Sequence, residues 1–410
     1  MLKISYMSGP ANVPRFLTEM ERGTPSDYFG TNYMKLFLKL AKDIEAQAQI
    51  FTWHGEDLYE TELGRYGILN WPIRSRGGLR HHVSLLTWNL AALWRMIRFR
   101  PNIVLLTGNQ NYWWIYAPLR LFGARFIASF HSVLWPKYRP VPRHLRVFNW
   151  LNGRLLLRRM SAILATSQDI REQIVSLLGL AKVPIIDHLP SYAPTQFDGI
   201  VPPSRALGSP FEILFMGRLE PNKGVYDLLA FAEQLHRKRP GEFLFHVAGE
   251  GSQSEHFASK IHTLSLTDVV LLYGHCGPSK IRELLSKSHV CVVPTRSDCE
   301  AGFEMVCAEA ILAERPLVSS RVCPAIYYLA DATVEVPPDD VAEYRAAIEA
   351  LADSPELYAR KQAACASLKS QFLEPRFGWE AAMHRAIALA TGIASAKAEI
   401  SSVETEANQD

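Results

Sequence analysis

The sequence predicts an α/β protein of two domains. Short apolar runs rich in strand-forming residues alternate with amphipathic stretches of helical period, the pattern of layered sheets and helices. At 410 residues the chain is long for one core, and a hydrophobic fraction of 48% can fill two. An aperiodic stretch at 189–210, rich in Pro, Ser and Gly, marks the boundary. The expected division is 1–198 for the first domain, 199–372 for the second, 373–391 for a final helix and 392–410 for a polar, small-residue tail without order.

In the first domain, residues 2–7 read as the opening strand. A long loop with Gly9, Pro10, Pro14, Gly23 and Pro25 follows, then a helix from Tyr28 to about Ala46. Residues 101–107 and 125–130 are two more apolar strands, and the second runs directly into His131. A lone His after a strand is commonly structural. Residues 139–160 suggest an amphipathic helix in which Leu145, Val147, Phe148 and Leu151 alternate with arginines. Its spacing fits a membrane interface and a domain surface equally well.

The second domain carries the chemistry. Phe211–Met216 reads as a buried parallel strand, and 224–237 as a helix with Val225, Leu228, Leu229, Phe231, Ala232 and Leu235 on one side. Arg218 and Lys223 lie between them, at the carboxyl end of the strand, where open α/β sheets place ligands. Backbone amides and the helix dipole there favour anions. A guanidinium can fork onto phosphate oxygens, and an ammonium adds a point charge. A second strand, 290–294, leads through a polar loop to a helix at 304–314. Gly302 allows close backbone approach to a ligand. Glu300 and Glu304 suit a helix start. Glu309 sits among Met305, Val306, Cys307, Ala308, Ala310, Ile311 and Leu312, where a carboxylate needs a partner.

Here the chain resembles the retaining, nucleotide-sugar-dependent glycosyltransferases of family 4, which have the GT-B fold. The matching runs are MGRLEPNKG at 216–224, HVAGEG at 246–251, VLLYG at 270–274, VPTRS at 293–297, GFEMVCAEA at 302–310 and RPLVSS at 315–320. Each is weak alone, and their order and spacing together are strong. The resemblance implies two Rossmann-like domains facing across a cleft, with the last helix crossing back so that Trp379 packs on the first domain. It implies that Arg218 and Lys223 bind the donor diphosphate, that Glu309 holds the ribose hydroxyls, and that the amides of Gly302, Phe303 and Met305 cradle phosphate and sugar. His131 would lie beside the donor sugar, and Gly30 and Thr31 stand nearest to the family's Gly-rich turn facing the donor. The family works without a metal or other cofactor, retains anomeric configuration, and lets the leaving phosphate accept the acceptor's proton. One departure is visible. The family places seven residues between two glutamates, which would put the first at Ala301, whereas Glu300 is one position early. A bulge could let Glu300 serve, Glu304 could substitute, or the sugar contact is lost.

Charge divides the chain. Residues 1–200 hold 24 Lys/Arg against 13 Asp/Glu, a balance of +11 that the overall +3 conceals. Between Glu62 and Asp169 there is no acidic residue, while sixteen cations and seven tryptophans are interleaved. Such a face suits an anionic membrane or an anionic acceptor. No RNA-binding signature accompanies it, so nucleic acid is not an expected partner. No apolar run is long enough to span a membrane, and the start goes directly into a strand. The six cysteines show neither metal-ligand nor redox-pair spacing, in keeping with reduced thiols in a cytoplasm. The sequence therefore implies a glycosyltransferase using a nucleotide-diphosphate sugar and a glycan or lipid-linked acceptor in cell-surface polysaccharide synthesis, cytoplasmic or peripheral at the inner membrane face. A catalytically impaired nucleotide-binding scaffold and a GT-B nucleotide-sugar epimerase are the alternatives.

Overall fold

A computed structural model of the chain describes residues 1–22, 32–73, 78–108, 112–203 and 209–392. Apart from Gly392, the tail expected over 392–410 lies outside the described residues. Eight strands build the first sheet: β1 (Lys3–Met7), β2 (Gln47–Thr52), β3 (Tyr59–Leu63), β4 (Tyr66–Asn70), β5 (Ile103–Thr107), β6 (Arg125–Phe130), β7 (Ala162–Ala165) and β8 (Ile185–Asp187). Their order is β3-β4-β2-β1-β5-β6-β7-β8. Only β3, the edge strand, runs antiparallel to its neighbour. The second sheet has six parallel strands: β9 (Phe211–Met216), β10 (Phe243–Ala248), β11 (Val270–Gly274), β12 (Val290–Val293), β13 (Leu317–Ser319) and β14 (Thr333–Glu335), in the order β11-β10-β9-β12-β13-β14.

Helices cover both faces of each sheet, which is why β5 and β12 are buried along their whole length. Successive residues of a strand point to opposite faces, so β1 feeds two cores. Ile4 and Tyr6 pack with Phe37 of the Tyr33–Asp43 helix, whereas Met7 packs with Trp88, Trp113 and Tyr116. Asn32 opens the Tyr33–Asp43 helix by accepting from the Met34 and Lys35 amides.

Two expectations change. The long loop contains a helix, Val13–Arg22, which buries Val13 and Leu17. Pro14 falls in its first turn, where a missing N–H costs nothing and the fixed φ suits the helix. The 139–160 stretch forms a helix only over Arg143–Leu155, and its inward face is polar: Asn149 and Asn152 are buried. The Asn152 carboxamide accepts from the Trp114 amide at 3.0 Å. Its outer face is apolar, with Val147 56% and Trp150 60% exposed. The tryptophans divide likewise, Trp88 and Trp113 being fully buried while Trp94 is exposed.

The last helix, Trp379–Thr391, returns to the first sheet. Trp379, Ala382, Met383 and Ala386 are buried in the same core as Ile4 and Leu164. Lys39 and Glu380 join across this contact at 2.9 Å. The chain thus crosses between the sheets twice, and the crossings are bonded side by side. The Leu189 amide donates to the Phe377 carbonyl at 2.9 Å, and the Tyr192 amide to that of Phe372 at 3.0 Å.

Candidate active site

Residues beyond the carboxyl ends of β6, β9 and β12 line one cleft of about 760 Å³. The loop after β9 enters it. Gly224 has φ +73°, and a Cβ there would stand 1.9 Å from the Pro294 carbonyl oxygen, so glycine alone lets this loop lie on the end of β12. That packing sets Lys223 Nζ 2.7 Å from Glu304 Oε1, with both side chains largely buried. Burial works against the Lys223 charge, but the Glu304 carboxylate outweighs it, and the ammonium sits above the ordinary lysine value. Arg218 lines the same cleft, exposed and with no carboxylate partner among the described residues. Asn222 lies between them, its buried Oδ1 without a hydrogen bond among the described residues.

The helix after β12 is Met305–Leu312. Met305 is its first residue, and the Glu304 side chain makes no cap, so the first amides are open to the cleft. Phe303 turns its ring inward, 6.0 Å from that of Tyr328 and 5.8 Å from that of Phe372. Glu309 reaches the cleft from within the helix and is 8% exposed. Burial raises its carboxyl to about 8, and the Tyr192 hydroxyl, 3.3 Å from Oε1, opposes that shift. Burial thus favours the protonated form of Glu309 near neutral pH.

His131 closes the other side. Its Nε2 lies 3.1 Å from Ser129 Oγ, and the same oxygen accepts from the Trp379 indole N–H at 3.0 Å. Nδ1 has no hydrogen bond among the described residues. Burial lowers His131 to about 3, so the imidazole is neutral. Tyr33 lies over it with ring centres 3.9 Å apart, and His188 packs edge-on at 5.9 Å.

Gly302 lines the cleft and also packs against the segment that follows β6. A Cβ there would lie 1.8 Å from the His131 carbonyl oxygen. Beside it, the Val133 amide donates to the Ala301 carbonyl at 3.2 Å. Ala301 is 2% exposed, so the position where the family pattern puts a glutamate faces inward at the junction of the halves. Glu300 stands at the cleft instead, open to solvent, its carboxyl raised above the ordinary value by partial burial. Arg218, Lys223, Glu300, Gly302, Phe303, Glu304, Met305, Glu309 and His131 thus all border one space. Gly30 and Thr31 lie outside the described residues. Sequence reasoning missed Ser132, Asn222 and Asp298 in the lining, and Tyr192, Ser129 and His188 behind it. His188 had the same signal as His131, a histidine directly after a strand. Among the described residues no group of three or more His, Cys, Asp or Glu could hold a metal ion.

The fold and cleft define a GT-B sugar transferase, two parallel-sheet domains meeting at their strand ends. Residues 210–354 match the family of glycosyl transferases group 1, and residues 45–186 match the glycosyl transferase 4-like domain. The chain belongs to the group 1 glycosyltransferases and is a transferase. It is 26% identical over 324 residues to the glycogen synthase of Mycobacterium tuberculosis, covering 72% of this chain and 73% of that one. Its fold superposes on sucrose-phosphate synthase from Thermosynechococcus elongatus with a TM-score of 0.67 and 15% identity, over 98% of this chain and 100% of the other. It superposes also on Anabaena HepE in complex with UDP and glucose, with a TM-score of 0.60 and 13% identity, over 97% and 100%.

Proposed function

We propose that this glycosyltransferase moves a sugar from a nucleotide-diphosphate donor to a glycan or lipid-linked acceptor, with retention and without a metal, in cell-surface polysaccharide synthesis. The observation that carries this reading is the convergence of Arg218, Lys223, the amide end of the Met305–Leu312 helix and buried Glu309 on one cleft. Departure of the diphosphate builds negative charge on its oxygens as the anomeric C–O bond breaks. Arg218, Lys223 and the helix amides stabilise that charge within walls that limit water. The acceptor oxygen bonds the anomeric carbon on the same face, and its proton passes to the departing phosphate oxygen. Glu309 accepts from the ribose hydroxyls, and the neutral His131 faces the sugar. Glu304 holds Lys223 in place until the diphosphate shares the ammonium.

The basic 63–168 region supports contact with an anionic membrane surface at the cytoplasmic face, where exposed Trp94, Val147 and Trp150 would enter the headgroup layer. No helix among the described residues is long and apolar enough to cross a membrane. The test is a thermal-shift screen of UDP-, GDP-, ADP- and dTDP-sugars on the native chain and on the Arg218→Ala, Lys223→Ala double variant. One donor should stabilise the native chain and lose that effect in the variant. A screen in which no donor shifts the native chain would sink the donor assignment.

A further inference from the structure

The end of the first sheet opposite the cleft has a second hollow, of about 430 Å³. Arg120, Arg125 and Arg159 line it with Ser161 and Leu389, and no carboxylate does. The three arginines come from connections that feed adjacent strands. Arg120 lies in the last turn of the helical stretch Trp113–Phe122, which closes on Gly123 in a left-handed cap. Arg125 begins β6, and Arg159 ends the short turn Leu157–Arg159 before β7. β6 is six residues long and leads to His131, so the hollow lies roughly 20 Å from the cleft at about 3.3 Å per residue.

Among the described residues no carboxylate pairs with any of these guanidinium groups. Arg159 donates to the Arg154 carbonyl at 3.1 Å. Arg120 and Arg125 have no side-chain hydrogen bond or ion pair among the described residues. Three like charges around one hollow repel each other, and the surrounding sequence from 63 to 168 contains no acid to balance them. A phosphate group supplies the missing charge and the oxygens that guanidinium forks match. Ser161 adds a hydroxyl donor at the wall. Next to the hollow, Leu121 is 88% and Phe122 58% exposed, an apolar pair that water does not favour.

We propose that the hollow between Arg120, Arg125 and Arg159 binds a phosphate group at a site separate from the donor cleft. The ligand is a phosphate ester. An anionic phospholipid would place its phosphate in the hollow and its acyl region against Leu121 and Phe122. A soluble phosphate ester would use the arginines alone. The site stands on its own lining residues and needs no glycosyl transfer to be detected.

The test uses the full chain carrying Arg218→Ala and Lys223→Ala, so that the donor cleft does not contribute. Two versions are compared. One adds Arg120→Gln, Arg125→Gln and Arg159→Gln. The other adds Arg65→Gln, Arg80→Gln and Arg143→Gln, which lowers net charge equally at exposed positions in the same basic window. Each is titrated calorimetrically with sn-glycerol 3-phosphate and assayed for binding to equimolar phosphatidylcholine–phosphatidylglycerol vesicles. The hollow variant should bind glycerol phosphate at least about tenfold more weakly than the charge-matched control. A parallel loss of vesicle binding assigns a lipid source. Vesicle binding equal in the two variants, with glycerol phosphate binding lost in one, assigns a soluble source. Equal glycerol phosphate binding by both variants overturns the site, and retained vesicle binding in that case leaves the wider basic face as the membrane contact.

Discussion

The second half lines the cleft with Arg218, Lys223, Glu300, Glu304 and Glu309, whereas the first half contributes His131 and Ser132. One wall is ionic, with its charges held on loops at strand ends. The other is a neutral imidazole kept uncharged by burial among Tyr33, His188 and Trp379. Two folds of the same layout thus divide the work. An ionic wall can hold a charged donor, and a dry neutral wall strengthens the field those charges exert across the gap.

The largest effect should come from the support of the neutral wall. Trp379→Ala removes a fully buried indole and its bond to Ser129, and should cost about 3–5 kcal/mol in urea unfolding. A loss below about 1 kcal/mol would mean that the returning helix contributes little to the first core. Next is the contact between the walls. Gly302→Ala should lower kcat/KM roughly 100-fold, because the added methyl must displace the His131 backbone. Donor binding to the ionic wall should change far less. Lost donor affinity with unchanged turnover would instead make the ligand the neighbour that Gly302 serves.

The ionic wall predicts a pH effect of intermediate size. Glu309 is raised from 4.5 to about 8 in the folded protein, so the folded state keeps a proton that the unfolded chain releases. Its stabilising contribution is full below the unfolded value and is lost as pH rises toward the folded one. Glu309→Gln should flatten that decline, leaving the variant more stable than the native chain near pH 8 by a few kcal/mol in denaturant titrations. Parallel stability–pH curves for the two proteins would count against a buried, proton-holding Glu309. The smallest effect belongs to the outer surface. Trp94→Ala with Trp150→Ala should weaken binding to anionic vesicles about five- to tenfold and leave transfer to a soluble acceptor unchanged. Equal loss of both would tie these tryptophans to the catalytic half of the comparison.

The ionic wall was legible in the sequence because its residues sit in a short local pattern. A strand, two cations, a glycine and a helix fix Arg218, Lys223 and Gly224 within one loop, and Glu309 announces itself as a carboxylate among apolar neighbours. The neutral wall was not legible in the same way. His131 depends on Ser129 two residues before it, on Trp379 from the last helix and on Tyr33 from the first domain, and such distant contacts leave no period or spacing. Gly302 shows the same limit: its need for glycine was readable, but the partner that demands it lies in the other domain. The Val13–Arg22 helix was hidden because Pro14 reads as a breaker unless its place in the first turn is known. The Arg143–Leu155 helix misled through its inward face, where Asn149 and Asn152 replace the apolar stripe that periodicity seeks.

The paired crossings between the domains have a consequence for motion. A single connecting strand would act as a swivel, free to bend and to rotate. Two segments joined by the Leu189–Phe377 and Tyr192–Phe372 bonds act as a ribbon, which folds more easily across its width than it twists about its length. Any parting of the domains would then be held to one arc, and it would lift Gly302 off the His131 carbonyl, whose oxygen lies 1.8 Å from where a Cβ at residue 302 would stand.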